Sequence, residues 1–300
     1  RSPARAQLIE ETRMNERYLP GHRLDSAVSV GSDVDWVLEN AELAVLAIPS
    51  QALREALTNL RPHLPEDTIL CCAAKGVEQG SLLTMEEVMS QVLETDRRIC
   101  VISGPSFAAE VARGEPTAVV VAGKDPAATK RVAEAFHGSS FRVYHSDDVV
   151  GVEIGGAIKN VMAIACGMAD GMGLGLNARA AIITRGLAEI TRLGVAKGAN
   201  PLTFSGLAGM GDLVLTCTGD LSRNRRVGLA LGQGKTLDQI LEELGQVAEG
   251  VVTTRSARNL GHKLGVELPI TEQIYGILYE DKDPKQAMVA LMGRAQKHER

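Results

Sequence analysis

The sequence predicts an α/β domain with a mainly parallel sheet, followed by an all-helical domain. Short, continuous apolar segments alternate with helical patterns up to about residue 147, and only helical patterns follow after that point. Apolar strands that alternate with helices are typical of a parallel sheet covered on both faces. We therefore expect two domains, residues 1–147 and 148–300, that meet around a ligand-binding cleft.

Each strand of the first domain is predicted from a short apolar run. The runs are Leu43–Pro49, Thr68–Ala73, Ile99–Ser103, Thr117–Ala122 and Phe141–Tyr144, and Val28–Val30 is a shorter candidate. Helical periodicity between them predicts helices near Gln51–Leu60, Leu82–Leu93 and Pro126–Phe136. At the start of the chain, Ser2 and Pro3 suit the N-cap and first turn of another helix.

Helical patterns punctuated by glycine and proline fill the second domain. They cover Gly151–Ala169, Ala178–Lys197, Asn224–Gly232, Leu237–Leu244, Thr253–Leu264 and Pro269–Leu278. We predict no strand in this part of the chain.

The composition limits the classes of function. A net charge of -5 and an aromatic content of 3% disfavour nucleic-acid binding, so a local basic patch would bind a small anion. The five cysteines and six histidines lack metal-ligand spacing, and we expect the cysteines to be buried apolar groups in a reducing compartment. We find no apolar run long enough to span a membrane and no signal-peptide pattern at the N-terminus.

Lys159 is the strongest pointer to chemistry, because it lies in the apolar stretch Gly151–Met172 with Asn160 beside it. Burial disfavours a cation and lowers the pKa of a lysine, which would make Lys159 a usable general base. The alternative is a surface lysine whose stem covers apolar neighbours while its ammonium reaches water. The stretch alone leaves both interpretations open.

Two polar segments follow predicted strands, where parallel sheets bind their ligands. Lys75 comes directly after the strand that ends at Ala73, and it could meet an anionic ligand. The segment Ile102–Glu110 carries a Gly-Pro turn and then Ser106, which would either contact a ligand or simply cap the next helix.

Two further segments of the second domain are candidates for the site. One could bind an anion, and the other contains an isolated carboxylate. Ser222–Arg226 (SRNRR) offers a capping hydroxyl, the guanidinium of Arg223 and the amide of Asn224 at a helix start, which suits a phosphate. A solvated basic turn is the alternative. Asp212 lies in an apolar, Gly-rich turn, so its carboxylate needs either a lysine or substrate partner or a role as helix N-cap.

The N-terminal segment suggests part of a dinucleotide-binding domain. Arg1, together with Arg5, follows what resembles a strand end and would suit the 2′-phosphate of NADP. No G-x-G-x-x-G loop precedes it, so the first strand and its loop are expected to lie before Arg1. Gly171–Gly175 resembles such a loop but follows a helix, and Gly234–Thr236 lacks the first glycine of a phosphate-binding loop; we reject both.

Five segments taken together resemble the bacterial NAD(P)-dependent glycerol-3-phosphate dehydrogenases. They are ISGPSFAAE, GGAIKNVMAIACGMADG, NARAAIITRGLAEITRLG, GLAGMGDLVLTCT and SRNRR, in order and at compatible spacing over essentially all 300 residues. The resemblance implies a Rossmann-like domain plus an all-α domain of the 6-phosphogluconate-dehydrogenase-like type. It also implies interconversion of dihydroxyacetone phosphate and sn-glycerol 3-phosphate with NADPH or NADH, which supplies phospholipid synthesis.

The resemblance further implies roles for individual residues. Lys159 matches the catalytic lysine of the family. The substrate contacts implied are Lys75, Gly104, Ser106, Lys159, Asp212, Ser222, Arg223 and Asn224. The cofactor contacts implied are Arg1, Tyr18, Lys75, Ala108, Arg223, Val247 and Glu249.

Two alternatives stay open beside this family. One is another dehydrogenase with a Rossmann-like and a helical domain that reduces an oxoacid, and the other is a non-catalytic nucleotide-binding homologue. If the natural chain began at Arg1, we would expect weak cofactor binding, which a titration with NADPH would measure. We expect a cytoplasmic protein without integral membrane association; the oligomeric state stays open, with a homodimer as one candidate.

Overall fold

The computed structural model describes residues 2–94, 98–244, 248–296 and 298. Five strands form one sheet, and two short strands form a separate antiparallel hairpin. The hairpin strands are β1 (Met14–Asn15) and β2 (Leu19–Arg23), and the sheet strands are β3 (Leu43–Leu46), β4 (Ile69–Cys72), β5 (Ile99–Ser103), β6 (Thr117–Gly123) and β7 (Phe141–Ser146).

The sheet has the order β3-β4-β5-β6-β7 and is mainly parallel, as predicted. The β5–β6 pair is antiparallel, and the other three pairs are parallel. All five main strand predictions are confirmed, but the candidate strand Val28–Val30 is wrong. That segment lies in a loop outside both sheets, where the Arg13 guanidinium contacts the Val28 carbonyl in place of a neighbouring strand.

Helices cover the sheet and make up the rest of the described chain. They are α1 (Pro3–Thr12), α2 (Val34–Leu38), α3 (Leu53–Leu60), α4 (Met85–Leu93), α5 (Ala108–Ala112), α6 (Pro126–Phe136), α7 (Val149–Gly171), α8 (Gly175–Ala196), α9 (Asp212–Thr218), α10 (Arg223–Gly232), α11 (Leu237–Leu244), α12 (Glu249–Leu264), α13 (Pro269–Tyr279) and α14 (Pro284–Met292). As predicted, no strand occurs in the described residues after Ser146, and Ser2 caps α1 by accepting a bond from the Arg5 amide. The sequence interpretation missed α2, α9 and α14.

The long helix α7 forms the centre of the helical region. It packs against α8, α9, α10, α12 and the sheet strand β5. By length and composition alone α7 could cross a membrane, but 94% of its apolar stretch is buried inside the protein. The helix is apolar on all sides because other elements surround it.

Small residues let α7 and α10 approach until their backbones touch. A Cβ added to Gly167 would lie 2.0 Å from the Arg225 carbonyl oxygen, and one added to Gly228 would lie 2.0 Å from that of Ile164. This contact holds the start of α10, which carries SRNRR, against the helix that carries Lys159. The fold therefore fixes the two candidate site segments relative to each other.

Candidate active site

Lys159 is buried, with only 7% of its surface exposed, so the surface-lysine interpretation is wrong. Its Nζ donates to Asp212 Oδ1 at 2.6 Å and to Thr216 Oγ1 at 2.8 Å. Burial, followed by repulsion from Lys75, lowers the pKa of Lys159 to about 8, although Asp212 acts in the opposite direction. A lysine with such a pKa can both give up and accept a proton near neutral pH.

Asp212 binds two lysines at once. Its Oδ2 accepts from Lys75 Nζ at 2.6 Å, while Oδ1 accepts from Lys159. Burial opposes ionisation of this carboxyl, but the two cations outweigh burial and hold the pKa of Asp212 below its ordinary value. Gly211, and not Asp212, is the N-cap of α9, so the capping alternative is wrong.

A π-helical turn, Leu207–Gly211, delivers Asp212 to this position. A Cβ added to Gly155 of α7 would lie 2.5 Å from the Ala208 carbonyl oxygen, so the turn rests directly on α7. Such turns are frequent at functional sites because they redirect a side chain within a helical path. Here the turn brings an acidic side chain to the buried face of α7.

The strand ends β4 and β5 supply the next part of the site. Lys75 follows β4 and also donates to the Gly104 carbonyl oxygen at 3.2 Å, just after β5. Gly104 has φ +137°, and a Cβ there would lie 2.9 Å from the Val119 Cα, so the turn requires glycine. The Ser106 hydroxyl donates to the same carbonyl at 3.1 Å.

Asn160, the residue after Lys159, is hydrogen-bonded to the basic segment Ser222–Arg226. Asn160 Oδ1 accepts from Asn224 Nδ2 at 2.9 Å, and Asn224 Oδ1 accepts from the Gly250 amide at 3.0 Å. Ser222 is the N-cap of α10, where its hydroxyl accepts from the Arg225 amide, and Arg223 is the exposed first residue of that helix. The Asn224 side chain therefore ties the start of α10 to α7, at the residue next to Lys159, and to α12.

Glu249 closes the site on the side of β3. Its Oε1 accepts from the Ser50 amide at 3.0 Å, just after β3. Burial raises the pKa of Glu249, while the Ser50 amide and the positive charges of Arg223, Lys159 and Lys75 act against it. The carboxyl ends of β3, β4 and β5 thus converge with α7 and α12 around one positively charged centre.

Family models match most of this chain. One described as the N-terminus of NAD-dependent glycerol-3-phosphate dehydrogenase matches residues 1–129, and one described as its C-terminus matches residues 148–289. This chain belongs to the NAD-dependent glycerol-3-phosphate dehydrogenase family.

Individual members of that family are similar over nearly the whole chain. The protein from Anaeromyxobacter dehalogenans (strain 2CP-C), named glycerol-3-phosphate dehydrogenase [NAD(P)+], is 56% identical over 97% of this chain and 88% of its own length. The one from Geobacter sulfurreducens, with the same name, is 53% identical over 98% and 90%. The crystal structure of glycerol-3-phosphate dehydrogenase from Coxiella burnetii matches with a TM-score of 0.94 and 41% identity, covering 98% of this chain and 90% of that one.

The structure brings together most residues that resemblance to this dehydrogenase family singled out. Lys75, Gly104, Lys159 and Asp212 are linked by direct hydrogen bonds, and Asn224 bonds to Asn160, the residue next to Lys159. The capping interpretation of Ser106 is wrong, because Phe107 is the N-cap of α5 and the Ser106 hydroxyl turns back to Gly104.

Of four further predicted cofactor contacts, two lie in the described residues and two lie outside them. Ala108 is exposed at the start of α5, and Tyr18 lies in the β1–β2 turn near the guanidinium groups of Arg5 and Arg17. Arg1 and Val247 fall outside the described residues.

Thr216 and Ser50 were missed by the sequence interpretation. Thr216 lies four residues after Asp212 on α9, so both side chains occupy one helix face, and that spacing could have identified it. Ser50 follows the β3 run just as Lys75 follows β4, but a serine at a strand end is too common to stand out.

Proposed function

We propose that this chain interconverts dihydroxyacetone phosphate and sn-glycerol 3-phosphate, with NADH or NADPH as cofactor. The observation that carries the proposal is the bridge in which Asp212 binds the Nζ atoms of Lys159 and Lys75 at 2.6 Å each. This bridge places a proton donor with a lowered pKa at the carboxyl ends of parallel strands. In this family the product supplies phospholipid biosynthesis.

Lys159 is the catalytic residue of the proposal. In the reducing direction its ammonium donates a hydrogen bond and then a proton to the C2 oxygen of the ketone, and its amine takes the proton back in oxidation. Asp212 and Thr216 hold Nζ in one orientation, and Asp212 stabilises the ammonium form. When bound, the reduced nicotinamide supplies the hydride that goes to the C2 carbon.

The residues around the strand ends are the proposed contacts for such a cofactor. Lys75 and Arg223 supply positive charge, and Glu249 is partly buried at the start of α12, where its pKa responds to both. These three residues, with Ala108 and Tyr18, are the proposed cofactor contacts among the described residues. Arg1 and Val247 remain predicted cofactor contacts outside the described residues.

The start of α10 is the proposed phosphate site. Arg223 lies at the first position of this helix, where backbone amides and a planar guanidinium both favour an anion. Asn224 is held by Asn160 and Gly250, so its place beside Arg223 is fixed before substrate binds. Ser222, Gly104 and Ser106 complete the proposed substrate contacts. Binding the remote phosphate positions the carbonyl for reduction.

A substrate assay tests the proposed function. The purified chain should oxidise NADPH or NADH when dihydroxyacetone phosphate is added, and the Lys159→Ala variant should not. An oxoacid reductase is the rival enzyme, so ketopantoate and a 3-oxoacid serve as comparison substrates. Reduction of an oxoacid, with no reduction of dihydroxyacetone phosphate, would contradict the proposal.

Three further proposals concern organisation and location. We place the boundary between the cofactor domain and the substrate domain at residues 147 and 148, where β7 has ended and α7 is about to begin. We also propose a cytoplasmic location and a homodimer. Light scattering on the purified chain measures the assembly directly.

A further inference from the structure

A small cavity lies beside Lys75, between the ends of β4 and β5 and the first turns of α7. Its volume is about 10 Å³, close to the minimum that one water molecule needs. The lining residues are Ala74, Lys75, Gly76, Val101, Ile102, Ser103, Val152, Glu153 and Gly156.

Two polar atoms in this lining lack a protein partner among the described residues. They are Ser103 Oγ and Glu153 Oε2, and each is almost completely shielded from solvent. Ser103 is 5% exposed and Glu153 is 8% exposed. Buried hydroxyl and carboxyl groups in native proteins nearly always find a hydrogen-bond partner, from protein or ordered water.

We propose that this cavity binds one ordered water molecule that bridges Ser103 Oγ and Glu153 Oε2, and that Glu153 thereby acts as a positioning residue for Lys75. The proposal rests on the proposed function for its kinetic consequence but not for the water site itself. Glu153 touches neither substrate nor cofactor in it. Its influence passes through Ser103 and the turn that follows β5.

The path from the cavity to the reacting centre is short. Ser103 is the last residue of β5, and the next carbonyl, that of Gly104, accepts from Lys75 Nζ. A Cβ added to Gly156 would lie 2.6 Å from Ser103 Oγ and 3.5 Å from Lys75 Cδ, so the serine and the lysine stem pack on the same part of α7. A shift of Ser103 would therefore move the acceptor that aims Lys75 at Asp212.

The other oxygen of Glu153 anchors the carboxyl. Glu153 Oε1 accepts from the Glu86 amide at 2.8 Å, in the first turn of α4. The bridge thus joins α4, α7 and β5, so the water would be held between elements that each have a fixed place.

The bridge can form in both protonation states of Glu153. Burial raises the pKa of Glu153 to about 7, and the negative charges of Glu86 and Glu87 add to the rise. Hydrogen bonds from the Thr84 side chain and the Glu86 amide act in the opposite direction. The other titratable groups that face it are Cys72 on β4 and Lys75 in the cavity wall. Below pH 7 the neutral acid can donate to the water, and above pH 7 the carboxylate can only accept.

A high-resolution crystal structure of the full chain tests the water site. We expect one density peak within hydrogen-bonding distance of both Ser103 Oγ and Glu153 Oε2, and loss of that peak in Ser103→Ala. A dry cavity in the unaltered chain would overturn the proposal. This result does not depend on activity, so it is separate from any failure of the proposed function.

Kinetics test the positioning role. Ser103→Ala should lower kcat for dihydroxyacetone phosphate reduction about tenfold, because a displaced lysine loses its alignment. Glu153→Gln keeps an acceptor for the Glu86 amide and a polar atom for the water, so it should retain kcat, whereas Glu153→Leu removes both contacts and should lower kcat about as much as Ser103→Ala. Glu189→Gln alters another buried acid, in the contact between α8 and α13, and should leave kcat unchanged. Unchanged kcat in Ser103→Ala, or equal loss of kcat in Glu153→Gln and Glu153→Leu, would overturn the positioning role.

Discussion

Asp212 in the active site and Glu189 in the helical region are both buried, at 1% and 2% exposure, yet burial affects them differently. Asp212 accepts from the ammonium groups of Lys75 and Lys159. Glu189 accepts from the backbone amides of Ile270 and Thr271, at 2.5 and 3.2 Å, at the start of α13. The pKa of Asp212 is lowered, whereas burial raises the pKa of Glu189 to about 7.

The difference lies in the partners. Backbone amides carry partial charges that only partly offset the loss of solvation, while two full cations more than offset it. When both lysines are protonated, the Asp212 cluster keeps one net positive charge inside the protein. That surplus favours a phosphorylated substrate and a developing alkoxide, and the Glu189 site has nothing equivalent.

Removing the proton donor of the active site should lower kcat more than any other change. Lys159→Ala should lower kcat by about 10³-fold, since general acid catalysis and alkoxide stabilisation are lost together. Circular dichroism should show an intact fold, because alanine suits a helix interior. Near-normal kcat in a folded variant would refute the catalytic role of Lys159.

Removing the negative charge of Asp212 should have the second-largest effect on kcat. Asp212→Asn leaves Lys75 and Lys159 close together without a counter-ion, so kcat should fall about 10²-fold. The pKa of Lys159 should drop further below about 8, because Asp212 no longer opposes burial and Lys75. The pH profile of reduction should therefore decline at lower pH than in the unaltered protein. A profile that keeps its position would show that Asp212 does not control the lysine.

Arg223→Ala tests the phosphate end of the site. Loss of one charge-assisted contact, about 1.5–3 kcal/mol, should raise KM for dihydroxyacetone phosphate about ten- to a hundredfold. Arg226, exposed on the same helix, supplies the matched control, and Arg226→Ala should leave KM unchanged. Equal effects of the two variants would indicate a general charge effect and no specific site at Arg223.

Glu189→Gln should have the smallest effect on catalysis and a visible one on stability. A raised pKa in the folded state means that Glu189 stabilises most below its ordinary value of 4.5, and that this contribution is lost as pH rises through about 7. The free energy of unfolding of the unaltered protein, relative to Glu189→Gln, should thus fall by on the order of 1–3 kcal/mol between pH 4.5 and 8. Urea unfolding at both pH values measures it, with kcat unchanged. A constant difference would mean that Glu189 does not titrate in this range.

The sequence predicts much of this architecture because its signals are local. The strand runs ending at Ala73 and Ser103 and the helix Pro126–Phe136 follow from hydrophobic pattern alone. Val28–Val30 has a strand-like composition, but pairing with a neighbouring strand depends on tertiary position, which composition does not encode.

The site was only partly predictable for the same reason. Lys159 and Asp212 are charged residues in apolar segments, so the sequence indicated that each needs a partner of opposite charge. The structure shows that they bind each other. The second lysine at Asp212, and the Asn160–Asn224–Gly250 bridge, depend on close packing between distant segments. The glycines that permit such packing look like ordinary helix residues until their neighbours are known.

The apolar helix α7 also has a consequence for synthesis of the chain. Helices α8, α9, α10 and α12, which cover it, all come later in the sequence, so α7 leaves the ribosome before its cover exists. During that interval a segment with membrane-like hydropathy is exposed to other nascent chains and to lipid. The helix that carries the proposed catalytic lysine is therefore a long apolar segment without its full cover until α12 has been made.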